Sequence, residues 1–155
     1  MERLVVPLAV VGVIAGLILL WRGSAPARPV LVASPTLTPG VLNPEVRQET
    51  IAATICKHGW TRTIRPPTSY TAPLKVRQMR EYGVGGDPSD YQEDHLISLE
   101  LGGHPTDPRN LWPEPRPHAE EVDRIENELN GNVCSGELTL AEAQRRESEL
   151  KHRSG

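Results

Sequence analysis

"YQEDHLISLELGG", residues 91–103, is the stretch that decides the fold of this chain. An Asp-His pair, Asp94 and His95, interrupts an otherwise apolar run, and the run closes on Gly102 and Gly103. An apolar segment bounded by glycines favours a strand, and the glycines permit a tight turn with positive φ. The polar loop that follows leads into "NLWPE", residues 110–114, and then into a helical pattern. We therefore expect strand, loop, short strand and helix, in that order.

The chain on the C-terminal side of this stretch is predicted to be helical. Apolar residues recur at three- and four-residue steps and predict a helix from about His118 to Cys134; they are Val122, Ile125, Leu129 and Val133. "TLAE", Thr139 to Glu142, matches a capping box and predicts a last helix that runs to about His152.

The chain on the N-terminal side is predicted to contain two further helices. Asn43 and Pro44 match the start of a helix that ends near Cys56, with Asn as the cap and Pro in the first turn. "GWTRTIRPP", residues 59–67, predicts a short extended segment that stops at the two prolines. A second helix is expected from Thr71 to Tyr82.

The first residues carry a different signal. "LVVPLAVVGVIAGLILLW", Leu4 to Trp21, contains no charged residue and is just long enough to cross a hydrocarbon core of about 30 Å. It predicts a transmembrane anchor, or a signal peptide that is cleaved after the small residues 25–27. Residues 22–42 are rich in Pro, Ser, Ala and Thr and are interpreted as a linker. The domain is then expected to span residues 43–155.

The two cysteines, Cys56 and Cys134, are an even pair in a chain that is expected to enter the membrane system. One disulfide in an oxidising compartment is the expectation, and two unrelated buried thiols are the alternative. The protein is therefore expected outside the cytoplasm, either anchored in the membrane or secreted after signal cleavage.

Charge is distributed unevenly along the chain. The formal net charge is -3, which argues against a protein that coats nucleic acid by positive charge alone. Residues 50–80 nevertheless contain no acidic residue, and ordinary charge scatter is the alternative to a basic face that meets an anionic partner. The basic residues of this stretch are Lys57, Arg62, Arg65, Lys75, Arg77 and Arg80.

"EDHLISLELGG" followed by "NLWPE" resembles the ββα-metal motif of the HNH endonuclease superfamily, over about residues 91–129. It is also similar to small exported bacterial proteins that share a "DHLI-LELGG…NLWPE" pattern. The resemblance implies an α+β fold, in which the transmembrane helix comes first. A small, mostly helical domain follows, built around a ββα core at about residues 91–134.

The resemblance also implies a role for each motif residue. Asp94 would bind a divalent metal ion, His95 would act as general base, and Asn110 would orient the loop and His95. Adjacent strand residues point to opposite faces, so Asp94 and His95 can share a site only at a twist or at the strand's end. His118 is the expected further metal ligand from the helix. The alternatives to His118 are Glu114, Glu121 and Asp123.

These roles predict a metal-dependent nuclease that hydrolyses phosphodiester bonds outside the cytoplasm. Carboxylate ligands favour Mg²⁺ or Mn²⁺, and the histidines allow Zn²⁺. Nucleic acid is the expected partner, and DNA is favoured over RNA. The membrane is the second expected partner, which the N-terminal helix would contact. A catalytically inactive ββα module of the cell envelope is the alternative function, and a phosphoesterase for a small substrate is a third.

Overall fold

The two segments that flank the glycine turn pair with each other. Strand β1, Tyr91–His95, and strand β2, Leu111–Pro115, form an antiparallel two-stranded sheet. Asp94 lies opposite Trp112 and His95 lies opposite Leu111 in the register. The computed structural model describes residues 31–153.

Residues 31–153 contain four α-helices: α1, α2, α3 and α4 span Trp60–Ile64, Thr68–Glu81, Arg116–Ser135 and Leu140–Arg153. Helices α2 and α3 pack against the sheet. Short 3-10 helices lie at Gln48–Ala53, Pro88–Asp90, Leu99–Leu101 and Pro108–Asn110. Helix α3 follows β2 directly, so strand, strand and helix succeed one another around the Asp-His pair. Helix α4 then returns and packs against α3 and against the Leu99–Leu101 turn.

Two apolar clusters hold these elements together. The larger joins the residues before α1, the glycine turn and the last two helices; its buried members are Val46, Ile55, Ile97, Leu101, Leu129, Val133, Leu140 and Ala143. The smaller contains Ala33, Leu96 and Trp112, with Tyr82 packed against it. Both clusters take residues from the 96–101 segment, which fixes the chain immediately after His95.

The predicted fold class is contradicted over the described residues, because it includes a transmembrane helix that they do not contain. None of the helices within residues 31–153 combines the length and the hydrophobicity that a bilayer-spanning segment needs. The longest, α3, is amphipathic and carries charged residues along its exposed side. The described domain is small and mostly helical, with one two-stranded sheet. The apolar segment Leu4–Trp21 lies outside the described residues.

Two local predictions also differ from the structure. The helix expected from Asn43 to Cys56 is only the 3-10 helix Gln48–Ala53. Thr50 explains the difference, because its hydroxyl donates to the Glu45 carbonyl (2.8 Å) and accepts from the Arg47 amide (2.8 Å), and such local bonds compete with an α-helix. The segment expected to be extended at residues 59–67 contains α1 instead.

Residues 31–42, which were interpreted as part of a linker, lie against the domain. Ala33 and Thr38 are fully buried, and the Ala33 amide donates to the Lys151 carbonyl at 3.0 Å. The Thr38 carbonyl lies 3.0 Å from Nε2 of His152, and Leu42 forms a β-bridge with Gly103. This segment therefore covers the end of α4 and the glycine turn.

A disulfide joins Cys56 to Cys134. It connects the segment before α1 to the last turn of α3, across a sequence separation of 78 residues. The position of α1 relative to α3 is thus fixed covalently.

Candidate functional site

Asp94 and His95 both line one polar cavity of about 240 Å³. They share it because His95 is the last residue of β1, where the regular alternation of the strand ends. Helix α3 supplies the opposite wall through Asp123, Glu126 and Asn127. The remaining lining residues are Arg65, Gln92, Ser98, Leu99 and Glu100.

The imidazole of His95 is buried and has a defined hydrogen bond. Only 6% of the residue is exposed, and Nε2 lies 3.0 Å from the carbonyl oxygen of Pro105. A carbonyl oxygen only accepts, so Nε2 carries the hydrogen and the neutral ring has its lone pair on Nδ1. Burial lowers the pKa of His95, although Asp94 and the Pro105 bond act in the opposite direction. The ring is therefore neutral at pH 7 and is able to accept a proton.

Asp94 is held by a lysine from the other end of the domain. Its Oδ2 accepts a hydrogen bond from Nζ of Lys151 at 2.9 Å, and its Oδ1 lies 3.4 Å from Nε2 of Gln92. Burial alone would raise the pKa of Asp94, but the Lys151 ammonium holds it well below its ordinary value. Asp94 is thus a carboxylate whose charge is already balanced.

Glu114 lies on β2 and is fully buried. Burial and the nearby Asp94 charge raise the pKa of Glu114 to about 9, so the group is protonated at pH 7. Within residues 31–153, neither carboxyl oxygen of Glu114 has a hydrogen-bond partner. A protonated carboxyl is a poor metal ligand, since metals bind the deprotonated form.

Asn110 connects the ends of the loop between the strands. Its Nδ2 donates to the Ile97 carbonyl at 3.0 Å and to the His104 carbonyl at 3.1 Å, and its Oδ1 accepts from the Ile97 amide at 3.0 Å. Pro105, the partner of His95, follows His104 directly. Asn110 therefore fixes the loop that orients the imidazole, and it does so without lining the cavity.

The other helix candidates are placed differently. His118 does not line the cavity, and its Nδ1 lies 3.5 Å from Oε1 of Glu114. Asp123 lines the cavity, whereas Glu121 is exposed and does not. The structure therefore brings Asp94 and Asp123 to one cavity, and it places His118 beside Glu114 and outside that cavity.

A divalent metal ion does not fit the predicted pair Asp94 and His118. The Lys151 ammonium is bonded to Asp94, and the protonated Glu114 lies next to His118. Within residues 31–153, no group of three or more His, Cys, Asp or Glu side chains is arranged to hold a metal ion.

The six basic residues of the 50–80 stretch do not form one face around the cavity. Only Arg65 lines it, and Lys57 lines a neighbouring cleft that shares Glu100 with it. Lys75 donates to the Tyr91 carbonyl at 2.8 Å, and Arg77 pairs with Glu81 at 3.6 Å. The exposed residues Arg62 and Arg80 belong to α1 and α2.

Sequence reasoning missed three buried charged residues: Glu126, Glu147 and Lys151. A signal was present, because each occupies a core position of its helix. Glu126 continues the buried stripe of Val122 and Leu129 on α3, and Glu147 and Lys151 continue the stripe that begins at Leu140 on α4. Opposite charges at core positions of two neighbouring helices indicate a buried ion pair.

Comparison of the chain with family models, with curated proteins and with solved structures found no match.

Proposed function

We propose that this domain hydrolyses phosphodiester bonds in nucleic acid outside the cytoplasm, with His95 as the general base. The observation that carries the proposal is the neutral, buried imidazole at the wall of a polar cavity, with Nε2 bonded to Pro105 and the lone pair on Nδ1. Such a group is suited to remove a proton from water at neutral pH. The resemblance to the HNH superfamily supports the same role for this histidine.

In the proposed reaction, Nδ1 of His95 takes a proton from a water molecule in the cavity. The water oxygen attacks phosphorus, one P–O ester bond breaks, and the leaving oxygen takes up a proton from solvent water. The imidazolium of His95 then releases its proton to solvent, which restores the neutral base. Arg65 lines the cavity, and its planar guanidinium suits a phosphate group. No step of this reaction passes through a metal ion.

Substrate binding is proposed to depend on the phosphate backbone, with DNA preferred to RNA. Arg65 and Lys57 lie on two adjoining clefts and would contact neighbouring phosphates. Binding through such contacts is independent of sequence and weakens as salt concentration rises. The Cys56–Cys134 disulfide supports a location in an oxidising compartment, where such bonds persist.

A catalytically inactive binding module is the second candidate function. The Lys151–Asp94 ion pair favours it, because the carboxylate to which the resemblance assigns metal binding is already engaged. Under this alternative the domain would bind a cell-envelope partner and would hydrolyse nothing.

Nicking of supercoiled plasmid by the oxidised full chain separates the two functions. The assay includes RNA and a small phosphodiester as further substrates, and it is run with Mg²⁺, Mn²⁺, Ca²⁺, Zn²⁺ or a chelator. We expect DNA cleavage that His95→Gln reduces by about 10²- to 10⁴-fold. The matched control is His58→Gln, since His58 is exposed and lies outside the cavity. Cleavage of the small diester alone would point to a phosphoesterase. No cleavage under any condition would contradict the proposed hydrolysis and favour the catalytically inactive binding module.

A further inference from the structure

Lys151 is a fully buried lysine at the centre of four carboxyl groups. Its ammonium donates to Oδ2 of Asp94 (2.9 Å), to Oε1 of Glu126 (2.6 Å) and to the main-chain carbonyl of His95. These three bonds use all three donors of the ammonium. Glu147 lies one turn earlier on the same helix, with its Oε1 3.7 Å from Nζ.

The charges of this group are balanced without any other cation. Burial opposes the charged form of Lys151, but the surrounding carboxyl groups, Asp94 first, raise its pKa well above the ordinary value. The ammonium pairs directly with Asp94 at 2.9 Å and with Glu126 at 2.6 Å. It therefore occupies the space between these carboxyl groups that a second cation would need.

The position of Nζ is also the position in which a metal ion would contact Asp94. Oxygens of three carboxyl groups and one main-chain carbonyl surround it. An all-oxygen set of this kind is what Ca²⁺ binds, with carboxylates and carbonyls together, and carboxylates also suit Mn²⁺.

We propose that the Lys151 ammonium is the resident cation of this site, and that it excludes a divalent ion from Asp94. As they stand, the carboxyl side chains around Lys151 are not arranged to hold a metal ion. Removal of the lysine side chain would then let Asp94, Glu126, Glu147 and the His95 carbonyl close around a divalent cation. The proposal deepens the proposed function, on which its catalytic meaning rests. Lys151 acts as a positioning residue, because it holds Asp94 and the backbone of His95 at once.

The test compares wild type with Lys151→Ala and Lys151→Met by thermal unfolding, with and without Ca²⁺ or Mn²⁺. The Ala variant vacates the position of the ammonium, whereas the Met variant fills it with an uncharged chain of similar length. We expect the Tm of Lys151→Ala to rise by about 10 °C at a hundredfold excess of the ion over its Kd. Addition of the ion should not change the Tm of wild type or of Lys151→Met. Lys75→Ala controls for general loss of a lysine, since Lys75 bonds to the Tyr91 carbonyl outside this group.

Direct ion binding gives the second measurement. Titration of Mn²⁺ followed by electron paramagnetic resonance should show one bound ion in Lys151→Ala and none in wild type. The Lys151→Ala/Glu126→Gln double variant should bind the ion at least tenfold more weakly than Lys151→Ala.

Two results would overturn the proposal. The first is a divalent ion that binds to wild type and is lost in Asp94→Asn. The second is a Lys151→Ala protein whose folding, as judged by circular dichroism, and whose stability are both unaffected by Ca²⁺ or Mn²⁺. Neither readout requires hydrolysis, so a wild type that cleaves no nucleic acid would count against the proposed function and would leave this test intact.

Discussion

At the scale of single residues, the environment of His95 determines what the site does at a given pH. Burial lowers the pKa of the imidazole below its ordinary value of 6.5, and the bond from Nε2 to Pro105 fixes the tautomer. A base works only in its unprotonated form. The activity of the proposed hydrolase should therefore persist at pH values where an exposed histidine is already protonated.

The pH dependence of kcat/KM for plasmid nicking measures this directly. We expect the acidic limb of the profile to lie below pH 6.5, since the free protein's His95 has the lowered pKa. His58→Gln should keep the profile of wild type. An acidic limb centred above pH 6.5 would show that a different group is the base.

Glu114 gives the corresponding prediction for stability. Its pKa is raised to about 9 in the folded protein from an ordinary value of 4.5. The folded state thus binds the proton more tightly than the unfolded state does between these values. The resulting stabilisation is fully present below about pH 4.5 and is lost as pH rises towards 9.

The Glu114→Gln variant keeps the shape and the donor of the protonated group but does not ionise. We expect its free energy of unfolding to match wild type near pH 5 and to exceed it by several kcal/mol near pH 9. Urea unfolding across this range is the measurement. Burial also raises the pKa of Glu93 to about 8, so part of the decline should remain in the variant. Glu120→Gln, at an exposed position of α3, should decline as wild type does; equal slopes for all three proteins would contradict the assignment.

At the scale of elements, the turn between the strands depends on its two glycines. Gly102 has a φ of +78°, and a Cβ at this position would lie 2.5 Å from Cγ1 of Val46. Gly103 is more restricted, because a Cβ there would lie 1.7 Å from the main-chain oxygen of Ile97. Ile97 is also the residue that Asn110 holds from the other side, so the turn and the loop that orients His95 form one unit.

Gly103→Ala should therefore lower the free energy of unfolding by more than about 3 kcal/mol, since the clash is with backbone and cannot be relieved by a rotamer change. The matched control is Gly131→Ala in α3, where nothing lies within 4 Å of the added Cβ. That variant should gain about 0.5–1 kcal/mol from the higher helix propensity of alanine. Denaturant unfolding measures both, and a Gly103→Ala protein as stable as wild type would disprove the close approach.

The same elements show what the sequence could predict. The periodic apolar residues of α3 and the capping box before α4 were sufficient to place both helices, because local pattern determines such elements. The motif around Asp94, His95 and Asn110 identified residues that the fold brings to one cavity or to the loop beside it.

The ion pair at Lys151 could not be derived in the same way. Its partners come from β1, α3 and α4, and residues 94, 126 and 151 meet only in the folded chain. Charged residues on a predicted helix are normally assigned to its solvated face, and only their position in the apolar stripe indicated otherwise. The expected metal ligand His118 illustrates the converse case: a suitable spacing from Asn110 was present, but the fold places His118 beside Glu114 and outside the cavity that Asp94 lines.

At the scale of the whole molecule, the sheet is too small to hold the domain together alone. Hydrogen bonds, ion pairs and a disulfide between residues far apart in the sequence supply the remaining connections. Two strands of five residues contribute few ladder bonds. Helix α4 is linked to β1 through Lys151, to the Ser98 amide through Glu147 (2.9 Å) and to the Leu101 carbonyl through Gln144 (2.8 Å). The disulfide provides the corresponding link for α1, which carries Arg62 and leads to Arg65.

Loss of that link should have a large effect on stability. The bridge closes a separation of 78 residues, for which loss of chain entropy in the unfolded state corresponds to about 4 kcal/mol. We expect the Cys56→Ala/Cys134→Ala variant to lose a free energy of this order in urea unfolding, and wild type to lose a similar amount when reduced. The control is the double variant itself, whose stability a reducing agent should leave unchanged.

Arg65 follows α1 and lines the cavity together with Asp123 and Asn127 of α3. The same variant should therefore also bind DNA more weakly at moderate salt, where it is still folded. A double variant as stable as the oxidised wild type would show that packing around Ile55 and Val133, rather than the bridge, holds these two parts together.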